Sequence, residues 1–499
     1  MFTNVLARIW QKRKPLIIAT LIVVGVYGAY QPLPTDFGLA GEVYELADQS
    51  VQFLVDETYS LESGEVVMQQ TIFDEVLTLI DEAESYILVD MFLWNSFQGV
   101  TPETHRRLSS ELTEALLRKK QQQPEMSITV VSDPINTIYE GQPAYHFEQL
   151  KASGIPVILT NHTEMRDSNP LYSSVYRAFL QWPDRAHQAL IGEPYTIRFM
   201  PNLLDSNGES ITVRSYLKLF NFKANHRKLL VADAPSETGR SLVSLVTSAN
   251  PHDGSSRHSN VALRIEGGVW RDIIKSEQMV ANFSGGTVPA VLFPERYTEV
   301  TGEVGVNLIT EQSIQQAVLE MLEGVGSGGT VKLAMFYLSE DKIVEALIAA
   351  SDRGASVQVI LDPNKDAFGR EKNGVPNRPV AARLLRETNG DIEVRWCATV
   401  GEQCHSKLLL VSTADNHVLT LGSANFTRRN LNNLNLETNV LVRSTSKSLA
   451  HTDAEAFFDR MWRNEAGRNY TVAYEVYKDE SIAKRLQSWV MENTGLSTF

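Results

Sequence analysis

His405-Ser406-Lys407 is followed by the apolar run Leu408 to Val411 and then by Gly422-Ser423-Ala424-Asn425. Side chains alternate along a strand, so this imidazole and ammonium face one side and can reach a single small anion. One such tripeptide arises easily by chance in 499 residues. A second one does not: His226-Arg227-Lys228 is followed by Leu229 to Asp233 and then by Thr247-Ser248-Ala249-Asn250. A paired site of this kind suits a phosphodiester, which is attacked in line. One neutral imidazole attacks phosphorus, and a protonated one opposite donates to the departing oxygen. Lys228, Lys407, Asn250 and Asn425, with Ser248 and Ser423, would hold the remaining oxygens and offset the developing charge. Water or an alcohol then releases the phosphohistidine, and the scheme requires neither metal nor cofactor.

The duplicated pattern resembles the phospholipase D superfamily, whose signature is H-x-K-x4-D followed by G-S-x-N, twice per active site. The resemblance covers nearly everything after about residue 60. It implies His226 as nucleophile, His405 as acid and base, and Asp233 as the aspartate of the first motif. It also implies that Glu437 orients the opposite histidine, with His258 as its counterpart when Asn260 is aligned with Asn439. Two positions depart from the signature: Thr247 stands where a glycine is expected, and Ser412 where an aspartate is expected.

The order of elements supports the duplication. In the first half a helix through Phe73 to Ile80 leads to a strand at Tyr86 to Phe92, a long helix from Pro102 to about Lys120, and a strand at Ile128 to Val131 that ends in Asp133-Pro134. In the second, a helix through Ile314 to Val325 leads to a strand at Val331 to Tyr337, a helix at Asp341 to Ser351, and a strand that ends in Asp362-Pro363. The expected fold is α/β, with two similar lobes by internal duplication. Each lobe is a mixed sheet flanked by helices, and one active site lies at their interface. The domain boundaries follow: 1–31 a basic tail and transmembrane anchor, 32–63 a linker with helical periodicity at Glu42 to Leu54, 64–300 the first lobe and 301–499 the second.

Arg8, Lys12, Arg13 and Lys14 precede an uncharged, mostly apolar run from Pro15 to Tyr30. No A-x-A-like site follows, and Val26-Tyr27-Gly28 is a poor cleavage site, so the segment reads as an uncleaved anchor. The positive-inside rule puts the N-terminus in the cytoplasm and the catalytic body on the outer side, periplasmic in a bacterium. Cys397 and Cys404 are the only cysteines. Outside the cytoplasm they can close a disulfide loop in front of His405, and otherwise they are two free thiols.

Between Thr160 and His226 lies an insertion that the second half lacks, rich in aromatics such as Tyr172, Tyr176, Phe179, Trp182, Tyr195 and Phe220. It reads either as a cover suited to an acyl chain or a membrane surface, or as a helix and hairpin packed on the lobe. Asp362 to Arg378 forms a basic loop with Lys365, Arg370 and Lys372, suited to a phosphate or simply solvated. His146, His162 and His187 read as structural or surface residues.

Formal net charge is -14, which disfavours polyanion binding and makes nucleic acid an unlikely partner. The expected function is phospholipase D-like hydrolysis or transfer of a glycerophospholipid headgroup at a phospholipid membrane. Water or an alcohol is the acceptor, and the catalytic unit is monomeric. The alternatives are cardiolipin synthase-like phosphatidyl transfer and an outward-facing single-strand nuclease.

Overall fold

A computed structural model describes residues 2–182, 198–236, 239–292 and 301–496, with side chains from residue 13 onward. His187 and Tyr195 lie outside the described residues. The described residues form two nine-stranded mixed sheets and a two-stranded one. Each large sheet has the same core arrangement: numbered along the chain, its strands stand in the order first, seventh, sixth, fifth, second, third, fourth. In the first sheet the sequence runs from Val51–Leu61 through Asn260–Glu266, Gly239–Thr247 and Lys228–Ser236 to Tyr86–Met91, Ser127–Ser132 and Val157–Leu159. In the second it runs from Val304–Thr310 through Thr438–Ser444, His417–Gly422 and Lys407–Ser412 to Thr330–Met335, Ser356–Leu361 and Ile392–Cys397.

The continuous apolar runs after each H-x-K sit in mid-sheet with both faces covered, as such composition requires. Leu229 and Val231 of one sheet share a core with Leu408 and Leu410 of the other. The alternate residues Leu230 and Ala232 face outward to the helices Ile72–Glu82 and Leu108–Gln122. Leu409 and Val411 face the helices Gln312–Glu323 and Asp341–Asp352 in the same way. The sheets therefore pack face to face, and both H-x-K strands run through the seam.

One expectation is overturned. The stretch 32–63 is neither a linker nor helical at Glu42 to Leu54. Tyr44–Leu46 pairs antiparallel with Val304–Thr310 at the edge of the second sheet, and Val51–Leu61 pairs with Asn260–Glu266 in the first. Val51, Phe53, Val55, Thr58 and Tyr59 are β-branched or aromatic, and a waiting sheet edge outweighs a weak helical period. Near the other end of the chain, Arg468–Asn469 crosses back to pair with Leu61 and Ser60. Each lobe thus completes its partner's sheet.

Cys397 and Cys404 are joined in a disulfide that spans the short connection into the second catalytic strand. Replacing both by serine should lower stability by about 2–3 kcal/mol, the loop-closure entropy of so short a ring. A shift of the urea midpoint under non-reducing conditions measures this, and an unchanged midpoint would show that the bond constrains nothing.

Candidate active site

Both catalytic strands are gripped just before their histidines. Asp133 accepts from the Asn225 amide (2.6 Å) and Asp362 from the Cys404 amide (2.8 Å), which gives the repeated Asp-Pro pairs a use. Asp133 also accepts from His162 Nε2 at 2.8 Å, and His146 meets Thr113 at 3.2 Å. The next amides cross the seam: His226 N donates to Leu436 O and His405 N to Ser259 O, each at 2.9 Å. Lys228 and Lys407 each turn back, with Nζ on the carbonyl of their own motif's histidine, at 2.6 and 2.8 Å.

The imidazoles are oriented across the same seam. His226 Nδ1 meets Glu437 Oε2 at 3.0 Å, and His405 Nδ1 meets Asn260 Oδ1 at 3.1 Å. Asn260 Nδ2 donates to His258 O (3.1 Å), which turns the amide oxygen toward the imidazole. Both partners are acceptors, so each Nδ1 carries the hydrogen and each Nε2 is the free nitrogen. The counterpart of Glu437 is therefore Asn260 and not His258. Aligning Asn260 with Asn439 sets the register two residues off, since Thr247 pairs with Ala262 as Gly422 pairs with Asn439.

Ser248 and Ser423 are fully buried behind these orienting groups. Ser248 Oγ donates to Asn260 Oδ1 (3.1 Å) and accepts from Val261 N (3.0 Å). Ser423 Oγ donates to Glu437 and accepts from Thr438 N (2.9 Å). Both hydroxyls are thus committed to the residues that aim the histidines rather than to the phosphate contact expected of them. Asn250 Oδ1 accepts from Leu93 N (3.2 Å), whereas the buried Asn425 Oδ1 has no partner among the described residues.

The signature departures have local explanations. A Cβ on Gly422 would stand 2.2 Å from Thr438 O, so a side chain does not fit there. At the matching place Thr247 bonds that strand instead, with Oγ1 donating to Val261 O (3.0 Å). Asp233 lies at the far end of its strand from His226 and accepts from the Ser85 and Tyr86 amides, both at 2.9 Å, beside Arg240. It closes a turn there, away from the paired imidazoles beside which the motif led it to be expected. In the second half Ser412 replaces it and meets His451 and His417 at 3.0 and 3.1 Å.

Several site residues escaped sequence reasoning. Phe92 and Phe336 each lie with ring centroids 4.8 Å from one of the two paired imidazoles and 5.0 Å from the adjacent lysine nitrogen. The repeated Met91-Phe92 and Met335-Phe336 pairs are the signal that would have found them. From the basic loop, Phe368 stacks on His258 at 5.6 Å, and the His258 ring is 5.7 Å from His405. Lys372 of that loop meets the Tyr337 hydroxyl and lies 5.6 Å from the Phe336 ring. Lys365 and Arg378 turn instead to Tyr477.

Arg227 makes a buried brace, pairing with Glu277 and Glu311, both at 2.7 Å. Glu311 also accepts from the Glu437 amide (3.0 Å), which links the brace to the residue that orients His226.

Burial shapes the electrostatics. It lowers His226 to about 4, against the opposing pull of Glu437, and lowers Lys228 to about 7. Burial and then Lys407 hold His405 well below its usual range, and burial and then Lys228 do the same to Lys407. Burial disfavours the charged form of all four groups, and Lys228 and Lys407 add to this at both imidazoles, so the cluster suits an anion.

Residues 326–462 match the family model of a cardiolipin synthase, phospholipase D-like domain. No curated protein matches the chain. The solved phosphatidylserine synthase of Haemophilus influenzae Rd KW20 is similar, with a TM-score of 0.54 at 12% identity over 91% of this chain and 96% of that one. Nuc from Salmonella typhimurium, a phospholipase D family member, matches 34% of this chain and 99% of its own, at 22% identity and a TM-score of 0.27. Residues 326–462 thus match a phospholipase D-like domain, and the chain shares the fold of the solved phosphatidylserine synthase.

Two expectations follow from the site. Arg227→Ala should cost about 3–5 kcal/mol by stranding two buried carboxylates, read as a large fall in the thermal midpoint. A wild-type midpoint would show that the brace is dispensable. A bound dianion must raise the pKa of Lys228 from about 7. Affinity is then full below that pH and falls as pH rises through it, by at most about tenfold per pH unit for each proton. Competitive inhibition by sulfate, whose own charge is constant over this range, should weaken from pH 6 to about 8. Inhibition that does not change would sink the assignment.

Proposed function

We propose that the protein is a phospholipase D-type phosphodiesterase and phosphatidyltransferase acting on membrane glycerophospholipids. The observation that carries this reading is the reciprocal pairing of the imidazoles, each with Nδ1 held by the opposite lobe and Nε2 free. The two orienting groups differ in charge, and that difference supports a division of labour. When His226 Nε2 bonds phosphorus, the ring becomes cationic and the Glu437 carboxylate stabilises it. His405, held by a neutral amide, is the weaker base and therefore the better acid.

In the first step the His226 Nε2–P bond forms and the bond from phosphorus to the headgroup oxygen breaks, as His405 Nε2–H gives its proton to that oxygen. In the second, water or an alcohol attacks phosphorus, His405 takes the proton back, and the P–N bond breaks. Lys228 and Lys407 neutralise the phosphoryl oxygens. The negative charge of the substrate is what raises His405 far enough to be protonated when needed.

The match to a cardiolipin synthase-like domain supports a lipid hydroxyl as an acceptor beside water. The N-terminal helix contains an apolar stretch, Arg13–Tyr30, long enough to cross a membrane. With the disulfide, it supports a catalytic body outside the cytoplasm, the N-terminus remaining inside. Both histidines are supplied within one chain, so the catalytic unit is a monomer.

The test is headgroup release from mixed phospholipid vesicles, with and without a primary alcohol. Wild type should release headgroup and form phosphatidyl-alcohol, and His226→Ala and His405→Ala should each lose about 10²–10⁴-fold. Glu437→Gln, which keeps the hydrogen bond but removes the charge, should lower kcat about 10- to 100-fold with KM little changed. Folded protein that releases no headgroup from any lipid but cleaves single-stranded oligonucleotides would replace this reading with a nuclease.

A further inference from the structure

The N-terminal helix, Phe2–Tyr30, is packed against the body before it ends. Val24, Gly25 and Gly28 are buried in this contact. A Cβ at Gly25 would stand 3.0 Å from Pro170 O, and one at Gly28 would stand 2.1 Å from Asp167 Oδ2, so glycine permits the approach. The Asp167 amide donates to Gly28 O at 2.9 Å. Gln31 Nε2 donates to Met165 O at 2.6 Å, and Arg166 Nε donates to Gln31 O at 3.1 Å.

The order of these contacts sets a direction. Asp167 meets Gly28, Pro170 and Ser174 meet Gly25, and the π-helical turn Arg177–Gln181 still touches the N-terminal helix. The insertion helix Pro170–Tyr176, with that turn, therefore runs antiparallel beside the apolar stretch, back toward its middle. Twelve helical residues advance about 18 Å, close to half of the roughly 30 Å hydrocarbon core of a bilayer.

The pattern of this helix is the reverse of a water-facing one. Its exposed positions are Leu171, Val175, Phe179 and Trp182, with Leu171 82% and Phe179 60% accessible. Its buried positions are Ser173, Ser174, Tyr176, Arg177 and Gln181. A helix on the surface of a soluble protein turns its polar face outward. Arg177 pairs with Asp167 at 2.5 Å, and helical side chains lean toward the helix N-terminus, here the end nearest the exit of the N-terminal helix. Phe220 of the neighbouring helix Val213–Phe220, 60% exposed, lies 6.3 Å from the Tyr172 ring and extends the apolar face.

We propose that the 170–182 helix is a second membrane-seated element, buried in lipid beside the N-terminal helix, so that two helices fix the height and tilt of the catalytic body. The proposal rests on the N-terminal helix crossing a membrane, and the lipid bilayer is its occupant because that helix brings the apolar face into the same layer. The unit is tied to the chemistry. Asp167 also pairs with Lys223 at 2.6 Å, just ahead of His226 in the chain.

The full chain is placed in phosphatidylcholine–phosphatidylglycerol vesicles carrying single labelled cysteines. Val175→Cys and Phe179→Cys test the inserted face, Val23→Cys reports the N-terminal helix, and Leu449→Cys is the aqueous reference. All four positions are exposed, and the native cysteines are bonded to each other, so folding and labelling are not at issue. The expected result is quenching at 175 and 179 by acyl-chain-brominated lipid within about twofold of that at 23, and iodide quenching at least about fivefold weaker than at 449. Iodide quenching at 175 and 179 equal to that at 449, with position 23 still in lipid, would overturn the proposal while leaving the span intact. Iodide access at 23 as well would overturn both. Headgroup release measured on the same samples keeps either failure distinct from failure of the proposed activity.

Discussion

Everything in this site depends on one constraint: an imidazole can serve phosphoryl transfer only if its tautomer and direction are fixed, and neither lobe can fix its own. His226 borrows Glu437 and His405 borrows Asn260, while their backbone amides borrow carbonyls from the same opposite lobe. The two sheets must therefore meet at one register, and the shared core of Leu229, Val231, Leu408 and Leu410 holds them there. The exchanged strands Tyr44–Leu46 and Arg468–Asn469 bind the lobes further. A stable seam and a competent site are the same structural condition.

Charge adds a second layer. Lys228, Lys407, His226 and His405 are buried together, so desolvation disfavours their charged forms, and the two lysines add to this at both imidazoles. Under the proposed function a phosphodiester would restore those charges on arrival, which ties affinity to protonation. The buried Arg227 between Glu277 and Glu311 stands behind this cluster and carries its own countercharges. The site thus keeps its cations for substrate and its structural ion pairs separate.

Much of this was legible in the chain. The duplicated H-x-K strands, the apolar runs after them and the paired Asp-Pro steps all mark true structural equivalents, and the helix and strand order follows from periodicity. The first strand of each lobe was missed, because Val51–Leu61 and Val304–Thr310 take their meaning from sheet partners far away in sequence. Asp233 was placed with the catalytic groups by its motif, yet an extended strand carries it to the far end of the sheet from His226.

The sequence by itself determined which residue types converge and how often, since alternation along a strand puts His and Lys on one face wherever the strand lies. The tertiary structure alone decided who orients whom: Asn260 rather than His258, serines turned to the orienting groups, and Phe92 and Phe336 against the imidazoles. These are contacts across a seam between distant segments, and no local spacing encodes them. The inverted face of the 170–182 helix follows the same rule. Its composition is ordinary, and only the neighbour it packs against shows which side is turned outward.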